Sequence, residues 1–160
     1  MKLKWNVLWV LVLVGGMVGL TGCQKDLLDE LEGYGQTAAK ANLQLKTLNK
    51  VFKKVRKLHE LQSLRGHLKA KVLPALKAYT TTLEGLRLRH KELVEAHAIL
   101  VKAHQGWYRA LLHFQQKATN NTMRMRLLPA LQKQAQEYDA ALTKYKRYMK
   151  LVYAAARRRL

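Results

Sequence analysis

Beyond residue 36, apolar side chains recur at alternating spacings of three and four along nearly the whole chain. Leu76, Tyr79, Leu83, Leu86, His90, Leu93, His97, Leu100, His104, Trp107, Leu111 and Phe114 keep this spacing without a slip. Such a spacing puts them on one stripe of a helix. A first helix is predicted from near Gln36 or Thr37, with Ala41, Leu45, Leu48, Phe52 and Val55 in its seam. It stops either at Arg65-Gly66 or before Pro74, where proline cannot continue a helix. The second helix should end near Ala118, because Thr119-Asn120-Asn121-Thr122 reads as a turn followed by an N-cap. The third carries Leu128, Leu131, Ala135, Tyr138, Leu142, Tyr145, Met149 and Val152, with Pro129 either in its first turn or as a kink. Gly85 and Gly106 are soft spots in the second, each costing about 1 kcal/mol relative to alanine. No segment alternates apolar and polar residues as a half-buried strand does. The predicted fold is all-α: an elongated antiparallel three-helix bundle over residues 36–160 with coiled-coil-like seams.

The first 22 residues follow another pattern. Lys2 and Lys4 precede an apolar run, Val7 to Val14, and small residues then lead to Cys23, the chain's single cysteine. A short charged region, an apolar core and a small-residue end make the layout of a cleaved export signal helix. The stretch from Trp5 to Gly22 contains Asn6 and four glycines, which makes it a poor permanent span. The tetrapeptide Leu20-Thr21-Gly22-Cys23 resembles the lipobox of bacterial lipoproteins, and all four positions match. The resemblance implies diacylglyceryl transfer to Cys23, cleavage before it, and acylation of the new amino terminus. It covers only this leader, 1–22, and the cysteine. In that family an aspartate after the cysteine favours the inner membrane; here the position is Gln24, so the periplasmic side of the outer membrane is expected. With Cys23 acylated, no thiol remains for a disulfide or a cysteine-ligated zinc.

Charge then acquires a direction. The chain holds 30 basic and 10 acidic residues, a formal net charge of +20. Asp26, Asp29, Glu30 and Glu32 crowd behind Cys23, and Gly33-Tyr34-Gly35 follows as a flexible break, so 23–35 reads as a lipidated acidic tether. The body beyond must repel itself unless an anionic partner screens it. In a cytoplasmic protein such a balance would suggest nucleic acid. After export, the polyanions at hand are lipid headgroups, lipopolysaccharide phosphates, peptidoglycan carboxylates and acidic proteins, and no nucleic-acid partner is expected. The candidate anionic-surface residues are Lys144, Lys146, Arg147, Lys150, Arg157, Arg158 and Arg159, interleaved with Tyr145, Tyr148 and Tyr153. Bases near a helix C-terminus also complement its dipole, the simpler explanation of the cluster.

His90, His97 and His104, spaced by seven within the apolar stripe, form a candidate polar seam. Seven residues separate imidazoles by about 10.5 Å along the axis, too far to share an ion. A metal would need another helix, and a turn near residue 73 would bring His59 level with His90. A second reading is a seam that loosens when acid protonates buried imidazoles. The third is structural: with a turn near residue 120, His104 would meet Tyr138 and His97 would meet Tyr145, fixing the helix register. No metal or cofactor is expected.

Serine occurs once, at Ser63, with nothing nearby to activate it, and no phosphate-binding glycine loop or zinc motif is present. The chain is not expected to be an enzyme. It superficially resembles the small murein lipoproteins, which pair a lipobox with heptads, but those are shorter single-helix chains ending in lysine. A covalent peptidoglycan link is therefore not expected from Arg159-Leu160. The sequence points to a membrane-anchored helical lipoprotein presenting a basic surface to anionic envelope components. The alternatives are a protein-interaction subunit docking an acidic envelope partner, and a periplasmic holdase. Oligomeric state is left open.

Overall fold

The computed structural model describes residues 27–37, 41, 44, 47, 50, 54 and 59–158, and all regular structure among them is helical. Five elements are used below: α1 (27–37), α2 (Leu61–His67), α3 (Leu73–Glu84), α4 (Lys91–Lys117) and α5 (Asn121–Arg158). The all-α class is as predicted, but the helices are divided differently.

Pro74 does not stop the chain. A π-helical segment, Leu68–Val72, joins α2 to α3, and the Leu73 N–H reaches back five residues to the Leu68 carbonyl. The wider turn passes the chain into a helix in which Pro74 takes an early position, where its missing N–H costs little. The turn expected near residue 73 is therefore absent, and residues 61–84 form one helical rod.

The break falls instead at 85–90, within what the apolar stripe predicts as one helix. Gly85 weakens the helix there, and the next four residues, Leu86-Arg87-Leu88-Arg89, alternate apolar and charged. In a helix, Leu86 and Leu88 would point 200° apart. In the non-helical segment both pack against the core, while Arg87 and Arg89 stay exposed. Three-four spacing alone could not detect this, because Leu86 and His90 satisfy it as well.

The α4–α5 turn comes where predicted. Ala118 is fully buried, and the Asn120 side-chain oxygen accepts the Met123 N–H at 2.9 Å, an N-cap for α5. Asn120→Ala is expected to cost about 1 kcal/mol, measurable by chemical denaturation. Pro129 lies inside α5, eight residues beyond its start.

The flexible break at Gly33-Tyr34-Gly35 is overturned. These residues lie inside α1, whose Leu27, Leu31 and Tyr34 are buried in the core. Leu27, Leu31 and Tyr34 recur at i, i+4 and i+7, so α1 has an apolar stripe of its own. Residues 27–35 belong to the bundle, which the boundary drawn after residue 35 does not separate.

Two apolar clusters fill the bundle. The first gathers Leu27, Leu31 and Tyr34 of α1 with Leu83, Leu93, Leu100, Met149 and Val152. The second gathers Leu61, Leu68 and Leu76 with Trp107, Leu111 and Phe114. Each leucine or phenylalanine removed from water contributes roughly 1.5–3 kcal/mol. His104, 1% exposed, lies where the clusters meet, its ring edge-on to Tyr79 and to Tyr138. No helix among the described residues is long and apolar enough to cross a membrane.

Candidate functional site

Antiparallel packing of α4 and α5 gives the histidines their surroundings. His104 donates Nδ1–H to the Leu100 carbonyl one turn back, at 2.8 Å. Its Nε2 is left as an acceptor and takes the Tyr138 hydroxyl at 2.9 Å, the pairing that a turn near residue 120 predicts. The indole of Trp107 stacks on Tyr138, centroids 5.9 Å apart. Every nitrogen of this imidazole is satisfied in its neutral form.

His97 uses the opposite tautomer. Its Nε2–H donates at 2.9 Å to the Leu83 carbonyl in the last turn of α3. Its Nδ1 then accepts from the Tyr34 hydroxyl of α1 at 3.3 Å, and Tyr34 accepts in turn from Tyr145 at 2.8 Å. A single chain of hydrogen bonds therefore ties all four helices of this end: α5, α1, α4 and α3. Tyr145 serves His97 through Tyr34, a residue that the sequence reading placed in a linker.

His90 is a correction. It is no seam residue but the N-cap of α4, with 27% of its side chain exposed. Its Nδ1 pairs with the Glu30 carboxylate, which also accepts the backbone N–H groups of Arg89 and His90. Those amides lost their partners when the helix broke at 85–90, and α1 supplies the cap from outside. Burial alone would raise the Glu30 pKa; the hydrogen bonds from His90 and the two amides outweigh it and hold the carboxyl below its usual range.

Burial pushes His97 below the ordinary imidazole value, with the Leu83 carbonyl partly offsetting it. The same cause takes His104 down to about 4, against the raising effect of its bond to Leu100. Tyr34, Tyr79, Tyr138 and Tyr145 are pushed upward, burial being the largest cause for each. Near neutral pH the site is thus an uncharged Tyr–His network. It can hold register, and it resists protonation.

His59 cannot join His90 at a metal. The rod 61–84 carries His59 to the opposite end, where its carbonyl accepts from Arg124 at 3.2 Å. Among the described residues no group of three or more His, Cys, Asp or Glu side chains could hold an ion. A shallow groove of about 300 Å³ between α3 and α4 is lined by Lys77, Thr80, Glu84, Gln105 and Arg109. Gln105 donates to Glu84 there at 2.6 Å.

Lys144, Lys146, Arg147 and Lys150 are all exposed on α5, and Leu151 beside them is 68% exposed. Arg157 and Arg158 belong to the last turn of α5, while Arg159 and Leu20, Thr21, Gly22 and Cys23 lie outside the described residues. Lys50 and Lys54 are exposed at helical positions. Glu30, Tyr34, Tyr79 and Arg87 were missed as functional candidates. The Leu27–Leu31–Tyr34 spacing was a signal for Tyr34 and the Leu-Arg-Leu-Arg alternation one for Arg87; no local pattern marked Glu30 or Tyr79 as functional. No protein-family model matches the chain, and no curated protein or solved structure is recognisably similar to it.

Proposed function

We propose that the chain is a lipid-anchored helical protein of the bacterial envelope that holds a basic surface against anionic envelope components, in a structural or binding role. The observation that carries this reading is the grouping of Lys144, Lys146, Arg147 and Lys150 on the solvent side of α5. Tyr145 and Met149 face the core from the same turns, so packing alone gives no reason for a base at each exposed position from 144 to 150. The lipobox-like Leu20-Thr21-Gly22-Cys23 supplies the anchor in this reading, and Gln24 favours the outer membrane facing the periplasm. Two or three acyl chains hold far more firmly than one, each buried methylene contributing about 0.8 kcal/mol. The antiparallel helices with their heptad-like seams then form a rod; α5 alone, with 38 residues, is about 57 Å long.

The test is binding of the chain lacking residues 1–22, with Cys23→Ser, to anionic vesicles and to isolated peptidoglycan across a salt series. Binding is expected at low salt and should weaken steeply as salt rises. Replacing Lys144, Lys146, Arg147 and Lys150 together by glutamine should weaken it at least about 100-fold, from roughly 1 kcal/mol per base facing the surface. No binding to either target at low salt overturns the reading. Intact-mass analysis of the full chain checks the acyl chains on Cys23. A protein that co-purifies through high salt would instead favour the interaction-subunit alternative.

A further inference from the structure

Three helix ends meet at one end of the bundle. Glu30, near the start of α1, caps the start of α4 through Arg89 and His90. The antiparallel register of α4 and α5 is fixed by Tyr148 against Glu95 and by Tyr145 joined through Tyr34 to His97. One and two turns beyond Tyr148, Val152 and Ala156 lie in the same apolar cluster as Leu27, Leu31 and Leu93. The start of α1 therefore lies where α5 ends. Leu27 lies four positions after Cys23, a span of at most about 14 Å. An acyl group on Cys23 must pin this end, and not the opposite one, to the membrane.

The surface at that end matches such a position. Arg87 and Arg89 are exposed on the 85–90 segment, and Lys91 is exposed at the start of α4. Lys150 joins them from α5, with Leu151 68% and Tyr153 43% exposed on either side of it. The acids exposed nearby are Asp29, Glu32, Glu92 and Glu95, of which Glu95 accepts from Tyr148, while Glu30 is occupied by the α4 cap. Bases around an exposed leucine and tyrosine suit the headgroup region: ammonium and guanidinium groups meet phosphates while the apolar groups enter the acyl boundary. Peptidoglycan offers carboxylates but no apolar layer for Leu151.

We propose that this end, formed by residues 85–91 and the last turns of α5, is a docking surface for anionic phospholipid, which stands the bundle end-on upon the membrane that anchors it. The inference rests on the lipid-anchored reading and gives it a ligand and an orientation. Attachment then has two parts, acyl chains and a basic-apolar surface, each reinforcing the other because the anchor keeps the surface at high local concentration.

The experiment uses the full chain, acylated at Cys23, with Ala154→Cys as its one free thiol. An environment-sensitive fluorophore is attached there, and a second protein carries it at Met125→Cys, about 43 Å along α5. Each is reconstituted in vesicles of phosphatidylcholine alone or with phosphatidylglycerol added. The label at 154 should move to a less polar environment only when phosphatidylglycerol is present, and the label at 125 should not respond. Adding Arg87→Gln, Arg89→Gln and Lys150→Gln should lower the docked fraction at least about tenfold. A label at 154 that stays in water in both vesicles, or a shift that survives the triple substitution, overturns the proposal. Intact mass and flotation with phosphatidylcholine report the anchor separately. An acylated chain that floats without a shift at 154 sinks the docking surface alone. An unacylated chain whose label still shifts with phosphatidylglycerol supports the surface and sinks the anchor.

Discussion

Between pH 6.5 and about pH 4 the bundle is expected to lose on the order of 3 kcal/mol of stability through His104 alone. Unfolded, this imidazole titrates near 6.5, whereas burial holds it at about 4 in the folded protein. Above pH 6.5 it is neutral in both states, and its contribution is fully retained. As pH falls below 6.5 the unfolded chain takes up the proton and the folded one does not. Stability then falls by about 1.4 kcal/mol per pH unit until the folded imidazole also protonates. His97, lowered for the same reason, acts in the same direction. Glu30, held below 4.5, adds a further loss below that pH. Asp139 opposes them: burial raises its pKa, so its penalty is relieved as pH falls.

His104→Leu separates these contributions. At pH 7.5 the variant should be less stable by roughly 1–3 kcal/mol, because the buried Tyr138 hydroxyl loses its acceptor. Its denaturation midpoint should depend less on pH between 6.5 and 4.5, so that the two proteins converge on acidification. Guanidinium titrations followed by circular dichroism at several pH values would read both effects. Parallel pH dependences in the two proteins would mean that His104 titrates as if in water, contrary to its burial.

Leu31→Ala is expected to cost about 3 kcal/mol at neutral pH, as much as Leu93→Ala in the middle of α4. Leu31 is 3% exposed, and truncating a buried leucine loses both its transfer from water and the contacts around the cavity left behind. If residues 23–35 were a tether, the substitution would change stability by less than about 0.5 kcal/mol. The comparison therefore asks directly whether the segment after Cys23 is part of the core. It also bears on function. Under the proposed lipid anchor, a core helix that begins four positions after Cys23 would fix which end of the bundle lies at the membrane; a tether would leave it free.

His97 and His104 were legible as polar members of an apolar stripe, and Tyr138 as the partner of His104. Seven-residue spacing and a short Asn-rich turn determine which side chains face each other across antiparallel helices. His90 obeys the same spacing and was read in the same way, yet it lies outside the helix. Periodicity reports which positions share a face if the helix continues; it does not report whether it continues. The break at 85–90 depends on Leu86 and Leu88 both finding apolar surface and on Glu30 accepting the freed amides, and Glu30 is 59 and 60 residues away from them in sequence.

By itself, then, the sequence determined an all-α chain, the stripes that face inward, the turn at Asn120, the excess of base on the outward side of α5, and a leader resembling a lipoprotein signal. All of these follow from local chemistry: helical periodicity, capping, side-chain charge and a contiguous motif. Only the tertiary structure decided that α1 joins the core, that Tyr34 links His97 to Tyr145, that Glu30 caps α4, and that the start of α1 and the end of α5 lie at the same end. Each of those depends on which distant surfaces can bury one another and satisfy one another's polar atoms. That competition is settled across the whole chain, and no window of neighbouring residues contains it.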